Sequence, residues 1–245
     1  MKILSAAQTR AVDARTIALE PVASVDLMER AAGAFVGWFA NRFSAATPVK
    51  IVCGMGNNGG DGLAAARLLY ERGFEPDVWI VRHTDRSSAD FDTNLRRLPD
   101  GIPTHNVTGA DETPRFGAED LVVDALFGSG LTRPAQGLAA AVIASVNRAG
   151  EVIAVDIPSG LFMDAPNQPT DAVVRATHTV SFQLPKLAFL LPQNAGFVGE
   201  WHLADIGLHS VALSEAATDR FYFDEKTAKT LLRPRQKYAH KGTHG

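Results

Sequence analysis

Cysteine is nearly absent. Cys53 stands alone among 245 residues, so no disulfide can close within the chain. That fits a reducing compartment, and a cytoplasmic protein is the expectation. Long apolar runs are missing too. No stretch is long enough to span a bilayer, and the opening Met1-Lys2-Ile3-Leu4-Ser5-Ala6-Ala7-Gln8 turns polar too soon for a signal-peptide core. Charge of one sign is not in excess. A formal net charge of −3 points to neither a nucleic-acid nor a membrane partner, and leaves any anionic ligand to local dipoles and a few cations. The seven histidines are scattered and form no cluster with zinc-ligand spacing, so most of them read as surface or capping groups. There is no internal repeat and no low-complexity tract.

What is present suits one large α/β domain. The chain is 46% hydrophobic and 21% charged, ordinary for a soluble globular protein and enough to bury a core without staples. Periodicity predicts helices over 6–18, 24–43, 60–72, 88–98 and 136–148, with Ser24 as a cap and Gly73 and Gly150 as stops. Strands are expected near 49–53, 77–81, 102–107, 121–126, 151–156 and 177–183, with further edge strands at 200–205 and 221–223 and a Pro-rich loop over 158–170. Segments such as Leu121-Val122-Val123-Asp124-Ala125-Leu126 are apolar on both faces, which argues for a mostly parallel sheet covered by helices on both sides. The helix at 24–43 carries Leu27, Met28, Ala31, Ala32, Phe35, Phe39 and Phe43. That is apolar surface enough to pair two copies as a homodimer, and core packing explains it equally well.

In an open parallel sheet, ligands bind outside the carboxyl ends of the strands. Four loops leave such ends here with polar groups: 54–62, 128–134, 156–160 and 183–186. In the first, Gly54, Gly56 and Gly59 fall on a Gly-x-Gly-x-x-Gly spacing, weak by itself, while Asn57, Asn58 and Asp61 are the unusual members. A tight strand-to-helix turn with Asp61 at the helix start is the plainer reading. The second loop offers backbone N–H groups, hydroxyls and Arg133, which suits a phosphate, or else a flexible connection. Asp156 and Ser159 flank the rigid Pro158 at the end of another strand, and Asp156 is a candidate acid/base. Asp124, inside an apolar strand, needs a partner or a cation. Asn58, Asp124 and Ser159 together would supply one carboxylate and two neutral oxygens. These are hard donors whose single charge suits a monovalent cation better than Mg²⁺ or Ca²⁺. Lys186 could reach a ligand phosphate or lie at the surface. Cys53 ends an apolar strand and reads as packing.

Three segments occur in order: Asn57-Asn58-Gly59-Gly60-Asp61-Gly62, Val123-Asp124-Ala125-Leu126-Phe127-Gly128-Ser129-Gly130-Leu131 and Val155-Asp156-Ile157-Pro158-Ser159-Gly160. With them the chain resembles the YjeF N-terminal domain, the NAD(P)H-hydrate epimerase family. The opening residues, Leu27-Met28-Glu29-Arg30-Ala31-Ala32 and Phe182-Gln183-Leu184-Pro185-Lys186-Leu187-Ala188 are similar to that family as well. The likeness covers about residues 1–230. It implies a Rossmann-like three-layer sandwich and a hydrated NADH or NADPH as substrate. By position, Asn57, Asn58, Gly59, Gly60 and Asp61, together with Gly128, Ser129, Gly130, Leu131, Thr132, Arg133 and Pro134, would hold that substrate. Asp156 would contact it near the reacting ring. Asn58, Asp124 and Ser159 would bind K⁺.

The hydrate carries a hydroxyl on the carbon beside the ring nitrogen. Its inversion, by loss and return of water or by ring opening, needs a proton shuttle, for which Asp156 is the candidate. The basic tail 233–245, with His240-Lys241-Gly242-Thr243-His244-Gly245, resembles the start of an ADP-dependent NAD(P)H-hydrate dehydratase. The expectation is therefore an epimerase domain over 1–232 and a linker into a fused dehydratase domain. Two alternatives remain at this point. One is a non-catalytic nucleotide-binding or dimerising scaffold of the same fold. The other is a plain NAD-dependent dehydrogenase with Asp85 on the ribose.

Overall fold

The structure is a computed structural model and describes residues 1–231. The expected linker and dehydratase start at 233–245 lie outside those residues. Helices α1 (Ala6–Leu19) and α2 (Ser24–Ala40) come first. Strand and helix then alternate through β1 (Val49–Cys53), α3 (Asn57–Glu71), β2 (Pro76–Val81), α4 (Ala89–Arg97), β3 (Thr104–Val107), β4 (Leu121–Ala125), α5 (Gly137–Val146) and β5 (Glu151–Val155). There follow β6 (His178–Phe182), α6 (Ala195–Val198), β7 (Glu200–Ala204), α7 (Ser210–Glu215) and α8 (Glu225–Leu231). The seven strands form one sheet in the order β3-β2-β1-β4-β5-β6-β7. Every pairing in it is parallel. The chain changes direction across the sheet between β1 and β4, and this is where such a sheet opens a crevice at its carboxyl edge.

Side chains alternate between two apolar layers because a strand's period is two. Ile51 and Cys53 of β1 join Phe35, Phe39, Leu63 and Leu69 on the face covered by α2 and α3. Val52 points the other way and meets Val142, Ile143 and Val146 of α5. Helices therefore cover both faces and β4 is buried along its whole length, giving the Rossmann-like three-layer arrangement expected of doubly apolar strands. On α2, Leu27, Met28, Ala31, Ala32, Phe35, Val36 and Phe39 are all buried inside this one chain. Each contributes about 1.5–3 kcal/mol on full burial if large, so that face is core and calls for no second copy. Among the described residues, no helix is long and apolar enough to cross a membrane.

Several boundaries differ from the sequence expectation for local reasons. Helix α3 begins at Asn57, not near 60, because Gly56 in extended conformation already caps it. The Asn-Asn-Gly-Gly run is thus the first helical turn rather than a loop. Ser24 is not a cap. Ala23 takes that position, Asp26 accepts its N–H at 3.2 Å, and the Ser24 hydroxyl donates to Asp90 Oδ2 at 2.6 Å. Gly73, at φ +82°, ends α3 as expected, whereas α5 stops at Val146 under Asn147, ahead of Gly150. Strands β5 and β6 stop one residue short of the expected ends at 156 and 183, since Asp156 (φ +68°) and Gln183 (φ +58°) turn left-handed there. Residues 221–223 supply a single antiparallel bridge, Phe221 to Lys2, and no strand.

Candidate functional site

Strands β1, β4 and β5 are neighbours, so the turns that leave their carboxyl ends meet. Asp124 lies opposite Val52 of β1 and Ala154 of β5, and none of its surface is exposed. Its carboxylate accepts from Ser159 Oγ at 2.6 Å, Ser159 N at 2.8 Å and Leu126 N at 3.2 Å. Burial pushes its pKa up to about 6, against the opposing pull of the Ser159 hydroxyl, the Ser159 N–H and the Leu126 N–H. The Phe127 peptide ties the third turn in. Its N–H donates to Ser159 Oγ at 2.7 Å, and its carbonyl accepts from Asn58 Nδ2 at 2.9 Å. Asn58, Asp124 and Ser159, drawn from three separate parts of the sequence, thus close on one another around Phe127.

Beside this cluster lies a cleft of about 640 Å³. The start of α3 and the loop after β4 form one wall, with Asn57, Asn58, Gly128 and Ser129 exposed to the cleft. The unpaired N–H groups of the first turn of α3 point toward such a cleft and favour an anion there. Helix α1 forms the other wall, bringing Arg10 and Asp13. At the floor, Asp156 Oδ1 sits 2.5 Å from Lys186 Nζ. That lysine is only 3% exposed and also donates to Ser181 Oγ. A buried ammonium with two oxygen partners is a fixed part of the site rather than a surface cation. Asp13 and Asp61 crowd the same space. Burial, then the charge of Asp156, raises the Asp13 pKa to about 6, with Lys186 opposing. Burial, then the charges of Asp156, Asp13 and Asp90, holds Asp61 well above the usual carboxylate range. Carboxyls with displaced pKa values in one cleft are the means for moving protons near neutral pH.

The expected site residues divide into groups by location. Asn57, Asn58, Asp61, Gly128, Ser129, Gly130, Leu131 and Asp156 line the cleft. Gly59 and Gly60 are buried behind it and serve close packing: a Cβ on Gly59 would lie 1.8 Å from the Gly54 carbonyl oxygen. Thr132, Arg133 and Pro134 are exposed and stand outside the residues that line the cleft. Asp85 is likewise exposed and outside it. Cys53 is buried packing, its thiol pushed far up by burial and by the Asp124 and Asp61 charges. Arg10, Asp13 and the buried state of Lys186 were not legible beforehand. Arg10 and Asp13 sit on a helix of ordinary polar pattern, and nothing local marks them. The histidines hold one surprise, since His178 and His202 meet Glu200 within ligand distance.

A parallel α/β sheet whose carboxyl edge holds a polar cleft, a helix N-terminus and buried carboxyls defines a Rossmann-like protein with a candidate ligand site at its strand ends. The chain belongs to the family described as YjeF-related protein N-terminus, whose model matches residues 24–188. It is 34% identical over 261 residues to a bifunctional NAD(P)H-hydrate repair enzyme Nnr of Moorella thermoacetica, with all of this chain and 48% of that protein covered. It is 35% identical over 207 residues to an NAD(P)H-hydrate epimerase of Limosilactobacillus fermentum, with 82% and 95% covered. The chain therefore spans about half the length of the bifunctional relatives it matches. A crystal structure of yeast ynu0 superposes with a TM-score of 0.65 at 20% identity, covering 98% of this chain and 97% of that one, which supports the fold.

Proposed function

We propose that this chain is an NAD(P)H-hydrate epimerase, interconverting the R and S forms of hydrated NADH and NADPH. The observation that carries the reading is the meeting of Asn58, Asp124 and Ser159 around Phe127, directly beside a cleft that contains Asp156. Family membership and the names of the relatives point the same way. A scaffold would need neither a carboxylate buried in β4 nor a lysine buried against Asp156.

The nicotinamide end of the substrate is assigned to Asp156. The pyrophosphate is assigned to the start of α3, where main-chain N–H groups and Arg10 supply positive charge. The reacting carbon bears a hydroxyl beside the ring nitrogen. Departure of that hydroxyl needs a proton, and Asp61, whose pKa is raised by burial and by the charges of Asp156, Asp13 and Asp90, is the donor proposed. The nitrogen lone pair leaves a planar iminium, and water then adds to the opposite face while Asp156 takes its proton. Lys186 holds Asp156 in place through the step. Ring opening and reclosure would use the same donors and acceptors.

K⁺ is the cation proposed for the oxygen cluster. The residues fit it. Among the described residues, Asp124 has only neutral hydrogen-bond donors as partners, so its charge is uncompensated, and the Asn58 amide and Ser159 hydroxyl add hard oxygen. When bound, the ion supplies positive charge near the substrate's phosphates. The reading is tested by supplying the R hydrate with an S-specific dehydratase. Complete consumption is expected with this chain present. Consumption that stalls at the S fraction would overturn it.

A further inference from the structure

We infer that His178, Glu200 and His202 form a second metal site, for a divalent ion of the zinc class, at the amino ends of β6 and of the edge strand β7. His178 Nδ1 and His202 Nε2 are 3.3 Å apart. Glu200 places Oε2 3.5 Å from the former and Oε1 3.8 Å from the latter. Ligand atoms at tetrahedral angles on one Zn²⁺, with bonds near 2.0–2.2 Å, are separated by about 3.3–3.6 Å. The two ring nitrogens and the two carboxylate oxygens therefore already stand close to the spacing that a shared ion imposes.

Backbone register produces this arrangement. His178 opens β6 and pairs with Glu200, which opens β7. His202 lies two residues further along β7, hence on the same face as Glu200. These are the amino ends of the strands, whereas the cleft is at the carboxyl ends. The rings are held by packing: Trp38 of α2 lies 5.5 Å from the His178 ring and 4.9 Å from the His202 ring. His178 is buried, and Glu151 Oε1 faces its other nitrogen, Nε2, at 3.8 Å. A carboxylate on the far side of a ligating imidazole keeps the proton on that nitrogen and leaves Nδ1 free to bind. Arg42 opposes binding, with Nη2 3.8 Å from Glu200 Oε2, so the ion must displace that exposed ion pair. Such pairs are worth at most about 1 kcal/mol. The protein supplies three ligands and leaves one position to solvent. Because β7 is the outermost strand, the bound ion would clamp the sheet edge.

The test is titration of the metal-free protein with Co²⁺ and Zn²⁺. Tail residues His240 and His244 are substituted by alanine throughout, so that binding there is not counted. One equivalent of Co²⁺ with the visible absorption of a tetrahedral complex is expected, displaced by Zn²⁺, together with a rise in melting temperature. Glu200→Gln, at an exposed position that leaves the core intact, should weaken binding by about tenfold or more. His178→Ala with His202→Ala should abolish it, and Arg42→Ala should tighten it. No uptake by the folded protein, or uptake that Glu200→Gln and the double alanine variant leave unchanged, would overturn the assignment. Either result leaves the epimerase reading untouched, since none of these residues lines the cleft.

Discussion

Asp156 illustrates how much one residue is asked to do. It holds a left-handed backbone at φ +68°, ends a strand and carries a carboxylate locked to Lys186. Asn tolerates that backbone as Asp does, so Asp156→Asn removes charge and leaves the turn. Epimerisation should fall by about 10²–10⁴-fold, read by the coupled consumption of the R hydrate below the variant's melting temperature, which should itself fall because the buried Lys186 loses its charge partner. Asp13 makes a different prediction. Its folded pKa of about 6 lies above the ordinary value of 3.8. Between those two values the folded state keeps a proton that the unfolded state has lost, so Asp13 favours folding below about pH 4 and loses that advantage as pH rises through 6. The difference amounts to about 2–3 kcal/mol. Asp13→Asn should therefore stabilise the protein at pH 7.5 by up to that amount and flatten the pH dependence between 4 and 6, as urea melts at several pH values would register. Asp61 and Asp124, whose pKa values are raised as well, keep part of the slope; a slope unchanged from the parent would mean that Asp13 contributes none of it.

At the scale of elements, α3 and α2 show that glycine in a helix has more than one cause. The start of α3 runs so close to the turn after β1 that a Cβ on Gly59 would fall 1.8 Å from the Gly54 carbonyl oxygen. Gly59→Ala must move backbone and should cost about 3 kcal/mol or more. Gly33, within α2, meets nothing within 4 Å. Alanine there should add about 0.5–1 kcal/mol through helix propensity alone. Chemical denaturation of the two variants checks both signs. The same comparison explains what was legible beforehand. The Asn-Gly-Gly run announced a tight strand-to-helix turn, but that its first residues are already helical depends on Gly56 capping at one place rather than another. Helix α4, expected over 88–98, forms over Ala89–Arg97: Ser88 caps it, and Asp90, Asp92, Arg96 and Arg97 follow the helix dipole.

For the whole molecule, the central matter is how three turns are drawn together by strand order. With β1, β4 and β5 adjacent, their carboxyl ends share one edge, and an uncompensated carboxylate at that edge favours a cation that binds only the folded state. Ion binding should then raise the melting temperature in proportion to occupancy. Melts in potassium chloride against tetramethylammonium chloride should differ by several degrees, and the difference should vanish in Ser159→Ala combined with Asp124→Asn. Equal melting in both salts would argue that the oxygen cluster is a hydrogen-bond network and nothing more.

The sequence by itself determined the alternation of strand and helix, the parallel sheet and the loops that carry the chemistry, because apolar runs, glycines and strand-end carboxyls act locally or through simple periodicity. It also brought Asn58, Asp124 and Ser159 under suspicion as one set, since three strand ends in a parallel sheet must face the same way. Only the tertiary structure decided that α1 closes the cleft with Arg10 and Asp13, that Lys186 is buried against Asp156, and that two histidines and a glutamate from neighbouring strands converge behind Trp38. Those contacts join segments whose own patterns are unremarkable. Their meaning comes from which surfaces pack together, and packing is a property of the folded chain as a whole.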